Sequence, residues 1–229
     1  MKRILALSAL ISSLCFNAFA HEPSQPPAAD QAGEAGVGAS DGATSPAVPP
    51  TLPPAIQRTG PEVKLETSLG DILIVLDPEG APKTVEQFLK LVKDRHYNGA
   101  IFYRIEPGFV IQFGDLDAKL NYRAPKRGKV PLETARNRHS RGAVALARGE
   151  EADSGQSTVY IDLAENSGLD ATAGAPSDTT GYAVFGHVIE GMDIVDTIAN
   201  VELSPEGGPF PGKLPKTPVV IKRATVTKD

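Results

Sequence analysis

A chain of 229 residues, 41% of them hydrophobic, is long enough for one domain with a sizeable core or for two small ones. Its formal charge of −5 lacks the basic excess of a nucleic-acid-binding surface. Past the first 20 residues no apolar run reaches membrane-spanning length, and the only cysteine, Cys15, leaves no disulfide or thiol chemistry to the rest of the chain.

Those first residues read as a signal peptide. Met1, Lys2 and Arg3 make a positive start, residues 4–16 are apolar but too short for a stable span, and Ala18-Phe19-Ala20 offers small residues at the −3 and −1 positions of a cleavage site. Cleavage is expected after Ala20. Loss of Lys2 and Arg3 moves the formal charge from −5 to −7, which suits a soluble protein and disfavours anionic membrane surfaces. Residues 21–60 follow, with eight prolines, many Ala and Gly, and no aromatic residue. Such a composition cannot bury enough apolar surface to offset its conformational entropy, so the segment is read as a disordered linker.

A globular domain is expected over residues 61–229. Residues 62–67 alternate strictly and residues 72–76 form a β-branched apolar run, together a hairpin around Ser68-Leu69-Gly70-Asp71. A helix is predicted over residues 82–93. Pro82 fits its start, Thr84 with Gln87 resembles a capping box, and Val85, Phe88, Leu89 and Val92 fall on one face. Residues 102–115, Phe-Tyr-Arg-Ile-Glu-Pro-Gly-Phe-Val-Ile-Gln-Phe-Gly-Asp, read as two short strands joined by a Pro107-Gly108 turn. Plain alternation would put Phe102, Arg104, Phe109 and Ile111 on one face and Tyr103, Ile105, Val110 and Gln112 on the other. Residues 116–138 read as a polar surface excursion. Strands are expected at residues 142–147, 158–163, 183–188 and 218–227, a short helix at residues 192–199 with Met192, Val195, Ile198 and Ala199 on one face, and a Pro/Gly-rich loop at residues 202–216. About eight strands with only two helices favour a mainly β fold, a closed eight-stranded antiparallel barrel capped by two α-helices.

Metal, nucleophile and phosphate chemistry find no support. The histidines at positions 21, 96, 139 and 187 lack ligand spacing, and there is no G-x-S-x-G elbow or Gly-Lys-Ser/Thr loop. Four segments in order do carry a resemblance. They are Ala81-Pro82-Lys83-Thr84-Val85-Glu86-Gln87-Phe88, residues 102–112, Arg141-Gly142-Ala143-Val144-Ala145-Leu146-Ala147-Arg148, and Gly181-Tyr182-Ala183-Val184-Phe185-Gly186-His187-Val188-Ile189-Glu190-Gly191-Met192. From about residue 63 to 226 the sequence resembles the cyclophilin-type peptidyl-prolyl cis–trans isomerases, specifically their bacterial secreted branch. The resemblance implies an eight-stranded barrel with two helices, isomerisation of X–Pro bonds without cofactor or metal, and a monomer located in the periplasm. Its partners would be proline-containing unfolded or partly folded polypeptides, exported proteins in particular, with no nucleic acid and no membrane after signal cleavage.

By the same resemblance Arg104 is the catalytic residue. Phe109, Val110, Leu146, Tyr160 and Leu169 line the proline cup, and Gln112 supports substrate and Arg104. Ala147 and Arg148 bind the residue before proline through backbone groups, and Tyr182 sits at the pocket rim. Thr158 and Tyr160 depart from the family's usual S-Q-F-F-I strand, here Ser157-Thr158-Val159-Tyr160-Ile161, so Thr158 replaces a longer Gln and Tyr160 adds a hydroxyl that needs a partner. Gly168 stands where a Trp important for cyclosporin is frequent, which implies weak cyclosporin binding. Phe113 replaces a small residue. The departures at Thr158 and Tyr160 motivate one rival reading, a proline-binding chaperone or scaffold module with little turnover, and a second rival is a small-ligand barrel, since closed barrels often hold ligands.

Overall fold

The computed structural model describes residues 59–134, 136–174 and 180–229. The expected signal peptide and nearly all of the expected linker lie outside these residues.

Ten strands and two α-helices are present among the described residues. In chain order they are β1 (Glu62–Thr67), β2 (Asp71–Leu76), α1 (Pro82–Lys93), β3 (Ala100–Glu106), β4 (Val110–Asp117), β5 (Ala143–Leu146), β6 (Val159–Asp162), β7 (Ala183–Glu190), α2 (Met192–Ala199), β8 (Leu203–Ser204), β9 (Leu214–Pro215) and β10 (Val219–Lys228). Eight of the strands close a barrel in the order β1-β10-β3-β4-β6-β5-β7-β2, and β8 pairs with β9 apart from it. All pairings are antiparallel, and every barrel strand has a neighbour on both sides. Closure removes the unpaired edges that would otherwise recruit other chains.

The interior is filled by side chains. Val63, Leu65, Ile72, Ile74, Phe102, Ile105, Ile111, Phe113, Val144, Val159, Ile161, Phe185 and Ile221 are fully buried in one cluster, which leaves no room for a small-ligand barrel. Phe113 is absorbed here. Its ring lies 5.0 Å from Phe102 and 5.7 Å from Tyr97, so its bulk fills the barrel rather than distorting it. Helix α1 buries Val85, Phe88, Leu91 and Val92 in the same cluster, with Leu89 at its margin, so Leu91 takes the place expected of Leu89. Helix α2 adds Val195, Ile198 and Ala199, with Met192 packed beside them.

The start of α1 corrects a local expectation. Thr84 and Gln87 do not form a capping box, because Pro82 opens the helix and places Thr84 inside it. The exposed N–H groups are taken instead by Glu133. Its Oε1 accepts from the Lys83 amide at 3.0 Å, and its Oε2 accepts from the Thr84 amide at 2.9 Å and the Thr84 hydroxyl at 2.8 Å. A carboxylate at this end also complements the helix dipole. Gln87 turns away and donates to the Gly128 and Gln156 carbonyls. Residues 116–138 are therefore more than a surface excursion, since Leu132 and Thr134 are buried and Glu133 terminates a core helix.

Glu133→Ala is expected to lower stability by about 1–2 kcal/mol, the cost of removing a helix cap. Glu133→Gln should lose less, because an amide oxygen still accepts while the charge is gone. Urea unfolding of the three proteins measures the order, and equal stabilities would refute the capping role.

Candidate active site

The site is organised by an irregularity in β3. The β3–β4 ladder pairs Phe102 with Phe113 but Arg104 with Gln112, a register shift on each side of Phe102. The extra residue breaks simple alternation. Phe102 and Ile105 both enter the core, while Tyr103 and Arg104 both lie on the opposite side of the sheet with Gln112. The expected sharing of a face by Phe102 and Arg104 is thereby corrected. A turn closes the hairpin, with the Phe109 amide donating to the Glu106 carbonyl at 2.9 Å and Gly108 at φ 76°, a conformation that glycine adopts without strain.

Arg104 is held from two sides. Its Nε and Nη2 donate to Glu106 Oε1 at 3.1 and 2.9 Å, and its Nη1 donates to Gln112 Oε1 at 3.2 Å. The amide of Gln112 donates in turn to the Tyr103 hydroxyl at 2.9 Å. Burial, helped by the nearby Asp115 carboxylate, pushes the Tyr103 hydroxyl up to about 12, so it stays neutral.

Gln112, which holds Arg104, is the cross-strand partner of Tyr160, and Tyr160 belongs to an apolar group on the outer face of the barrel. Val110, Ala143, Ala145, Tyr160 and Val184 form it, and Phe109, Ala147, Leu169 and Tyr182 pack against it. The structure thus gathers six expected site residues, Phe109, Val110, Ala147, Tyr160, Leu169 and Tyr182, in one place. Leu146 is not among them. The strand alternates, so Val144 and Leu146 face the interior while Ala143 and Ala145 face outward. Arg148 sits at the margin, its Cζ 5.0 Å from the centre of the Tyr182 ring and its Nε donating to the Gly181 carbonyl at 2.8 Å. The Ala147 amide is already committed to the Thr158 carbonyl at 2.8 Å. Thr158 does not reach toward the recess either. Its hydroxyl donates to Asp115 Oδ2, and Ser157 donates to the other oxygen of that carboxylate at 2.5 Å. Gly114 permits this contact, because a Cβ there would come within 2.6 Å of the Ser157 carbonyl oxygen.

The hydroxyl that Tyr160 adds finds its partner in His139. Tyr160 lies 2.9 Å from Nε2, and Asp170 Oδ1 lies 2.9 Å from Nδ1. A carboxylate only accepts, so the proton sits on Nδ1 and Nε2 accepts from the Tyr160 O–H. Burial lowers the His139 pKa against the opposing pull of Asp170, which keeps the imidazole neutral in this arrangement. Burial likewise raises the Tyr160 hydroxyl well above its ordinary value.

A buried acid lies next to the apolar group in sequence and in the ladder, where Asp162 pairs with Val110. Asp162 is fully buried, its Oδ1 accepts from Asn166 Nδ2 at 2.6 Å, and its Oδ2 has no hydrogen-bond partner. The same Asn166 nitrogen donates to the Phe109 carbonyl at 3.0 Å, which ties this acid to a residue packed against the apolar group. Burial drives Asp162 up to about 8, against an ordinary value of 3.8.

Glu106, Asp115, His139 and Asp170 escaped sequence reasoning. Only Tyr160 carried a signal, the need of its hydroxyl for a partner. Among the described residues no three His, Cys, Asp or Glu side chains group as a metal site, and no helix is long and apolar enough to cross a membrane.

A filled eight-stranded barrel with two helices, whose outer face carries an apolar group next in register to the residue that holds a pinned guanidinium, defines a cyclophilin-like protein. The sequence matches the family described as "Cyclophilin type peptidyl-prolyl cis-trans isomerase/CLD" across residues 62–226, and the chain belongs to it. It is 35% identical to peptidyl-prolyl cis-trans isomerase A of Dickeya dadantii, over 74% of this chain and 86% of that protein. Identity to a peptidyl-prolyl cis-trans isomerase of Acinetobacter baylyi is 38%, over 69% of this chain and 81% of that protein. For isomerase B of Escherichia coli it is 32%, over 72% and 99%. In fold it is similar to a cyclophilin of Cryptosporidium parvum solved in the presence of the dipeptide Ala-Pro, with a TM-score of 0.60 at 21% identity over 73% of this chain and 99% of that one. The protein is a cyclophilin-type peptidyl-prolyl cis–trans isomerase whose substrates are proline-containing polypeptides.

A neutral Asp162 binds its proton in the folded state and loses it in the unfolded state above about pH 4, so its cost to stability grows from about pH 4 to about pH 8 and is constant above. Asp162→Asn keeps the shape and the bond to Asn166 Nδ2. The variant is expected to match the parent near pH 4 and to exceed it by at least ~1 kcal/mol above pH 8. Thermal melts across that range report the difference, and a constant offset at all pH values would refute a buried neutral acid.

Proposed function

We propose that Arg104 supplies the stabilising donor for X–Pro rotation and that the neighbouring recess holds the proline ring. The observation that carries this reading is the pinned guanidinium of Arg104, bonded to Gln112, whose cross-strand partner Tyr160 belongs to the apolar group with Phe109, Val110, Leu169 and Tyr182. Rotation about the X–Pro bond faces a barrier of about 18–20 kcal/mol because it destroys amide resonance. As the bond twists, the prolyl nitrogen becomes pyramidal and gains a lone pair. An N–H aimed at that nitrogen binds the twisted state better than the planar one, and the difference lowers the barrier. Arginine suits the task, being charged at all relevant pH values and planar. Gln112 orients it by accepting from Nη1, and Tyr103 orients Gln112. The apolar recess favours the proline ring over polar side chains.

Leu146 contributes to this site only by supporting the barrel beneath it. Arg148 and Tyr182 form its rim. Thr158, tied to Asp115, shapes the facing wall without donating to the peptide, so substrate is held chiefly by the apolar recess and Arg104.

The substrates in this reading are exported proteins whose folding waits on proline isomerisation, a process of tens to hundreds of seconds when uncatalysed. The reading is supported by the leader-like sequence of residues 1–20, and in it the chain is cleaved behind Ala20 and works in the periplasm. Residues 21–60 then form a spacer, and the domain acts as a monomer, its sheet edges being closed into a barrel.

A protease-coupled assay on a short X–Pro peptide tests the site. Arg104→Ala is expected to lower kcat/KM by roughly 100- to 1000-fold while the thermal melt is kept. Full turnover in that variant would overturn the assignment. A mature N-terminus at His21 in the periplasmic fraction is the expected mass-spectrometric result, and recovery of Met1 on the folded protein would overturn the location.

A further inference from the structure

Two residues that contact Arg104 have no role in the motif reading, Glu106 and Phe210. Glu106 ends β3, and its Oε1 accepts from both Arg104 Nε and Arg104 Nη2. Phe210 comes from the loop between β8 and β9. Its ring centre lies 4.8 Å from Arg104 Cζ, and the ring is nearly parallel to that of Tyr103, at 9° and 6.4 Å. Tyr103 accepts from Gln112, Gln112 accepts from Arg104, and Arg104 lies over Phe210, so the contacts form a closed circuit. The loop is fastened to the barrel. The Ile105 amide donates to the Lys213 carbonyl at 2.8 Å, the Lys213 amide donates to the Phe210 carbonyl at 3.1 Å, and Lys213 Nζ lies 3.8 Å from Glu106 Oε1.

An arginine side chain has five N–H bonds. Glu106 takes two of them and Gln112 takes one, which leaves one on Nη1 and one on Nη2. The carboxylate fixes one edge of the guanidinium plane and the Phe210 ring covers one of its faces. A side chain held in this way loses little further freedom when it meets a reacting group.

We propose that Glu106 and Phe210 are positioning residues that clamp the Arg104 guanidinium in one plane and reserve its two remaining N–H bonds for the prolyl group. The proposal rests on the reading of Arg104 as the reaction's donor. The clamp acts on orientation, so its loss affects the twisted state of the substrate more than the bound ground state. Its chemistry also explains why the acid is tolerated next to an essential cation. The carboxylate engages the Nε edge, and the terminal nitrogens keep a donor each.

The test uses the intact chain with Glu106→Gln, Phe210→Leu and Arg104→Ala, melted thermally to establish folding and assayed with an X–Pro peptide. Glu106→Gln and Phe210→Leu are each expected to lower kcat by about 10- to 100-fold with KM within about twofold of the parent. Nitrogen NMR adds a readout that a purely structural role would not move. The parent should show distinct, slowly exchanging Nη1 and Nη2 signals for Arg104, and both variants should show them averaged. Parent-level kcat in both variants, unchanged Arg104 signals, or a rise in KM alone would overturn the clamp. Phe210→Leu keeps an apolar contact with Tyr103 and decides the matter by itself if Glu106→Gln does not fold. Arg104→Ala separates the two levels. If turnover survives it, the donor reading fails, whereas loss there with full kcat in the other two variants removes the clamp alone.

Discussion

The extra residue in β3 is the constraint on which the rest of the molecule depends. A regular strand would send alternate residues to opposite sides and would put Phe102 and Arg104 together. The shifted register sends Phe102 and Ile105 inward, where they pack with Phe113 and Ile111, and leaves Tyr103 and Arg104 outside beside Gln112. A single strand thus supplies both the filled interior and the polar half of the working surface. Because the interior is filled, the surface has a rigid backing, and the guanidinium is held at a defined place relative to the apolar recess.

The recess itself is unusual in how much polar machinery supports an apolar surface. Tyr160 contributes its ring to the wall and sends its hydroxyl to His139, which Asp170 orients from the far side. Asn166 bridges the buried acid Asp162 and the Phe109 carbonyl. Each of these bonds satisfies a group that would otherwise cost roughly 1–3 kcal/mol when buried. Asp162 is the exception, with one oxygen left unpaired, and it stays neutral rather than charged. The same logic holds Thr158 and Ser157 on Asp115, whose two oxygens accept from their hydroxyls.

Membership of the isomerase family and the local geometry meet at Arg104. The family reading proposes a role for Arg104 near the apolar group of Tyr160 and Val110. The acid at position 106 takes two of the guanidinium's five N–H bonds and Gln112 takes a third, which leaves two, while the aromatic ring at position 210 covers one face. Rotation about an amide needs no more than one well-aimed donor, so a site can commit most of its arginine to alignment and still work.

The sequence by itself determined the elements and their order. Period-2 alternation in residues 62–67, the β-branched run at residues 72–76, the helical spacing of Val85, Phe88 and Val92 and the Pro107-Gly108 turn are local patterns, and local patterns are legible because they reflect backbone geometry over a few residues. Motif order made the barrel legible as well. Only the tertiary structure decided that Leu146 faces inward, that Glu133 caps α1 from 49 residues away, that His139 meets Tyr160 across 21 residues, and that Phe210 lies over Arg104. Those contacts join segments with no shared periodicity. They follow from barrel register and loop path, which a slip of one residue would reverse, and a one-residue bulge leaves no mark in the hydrophobic pattern that could announce it.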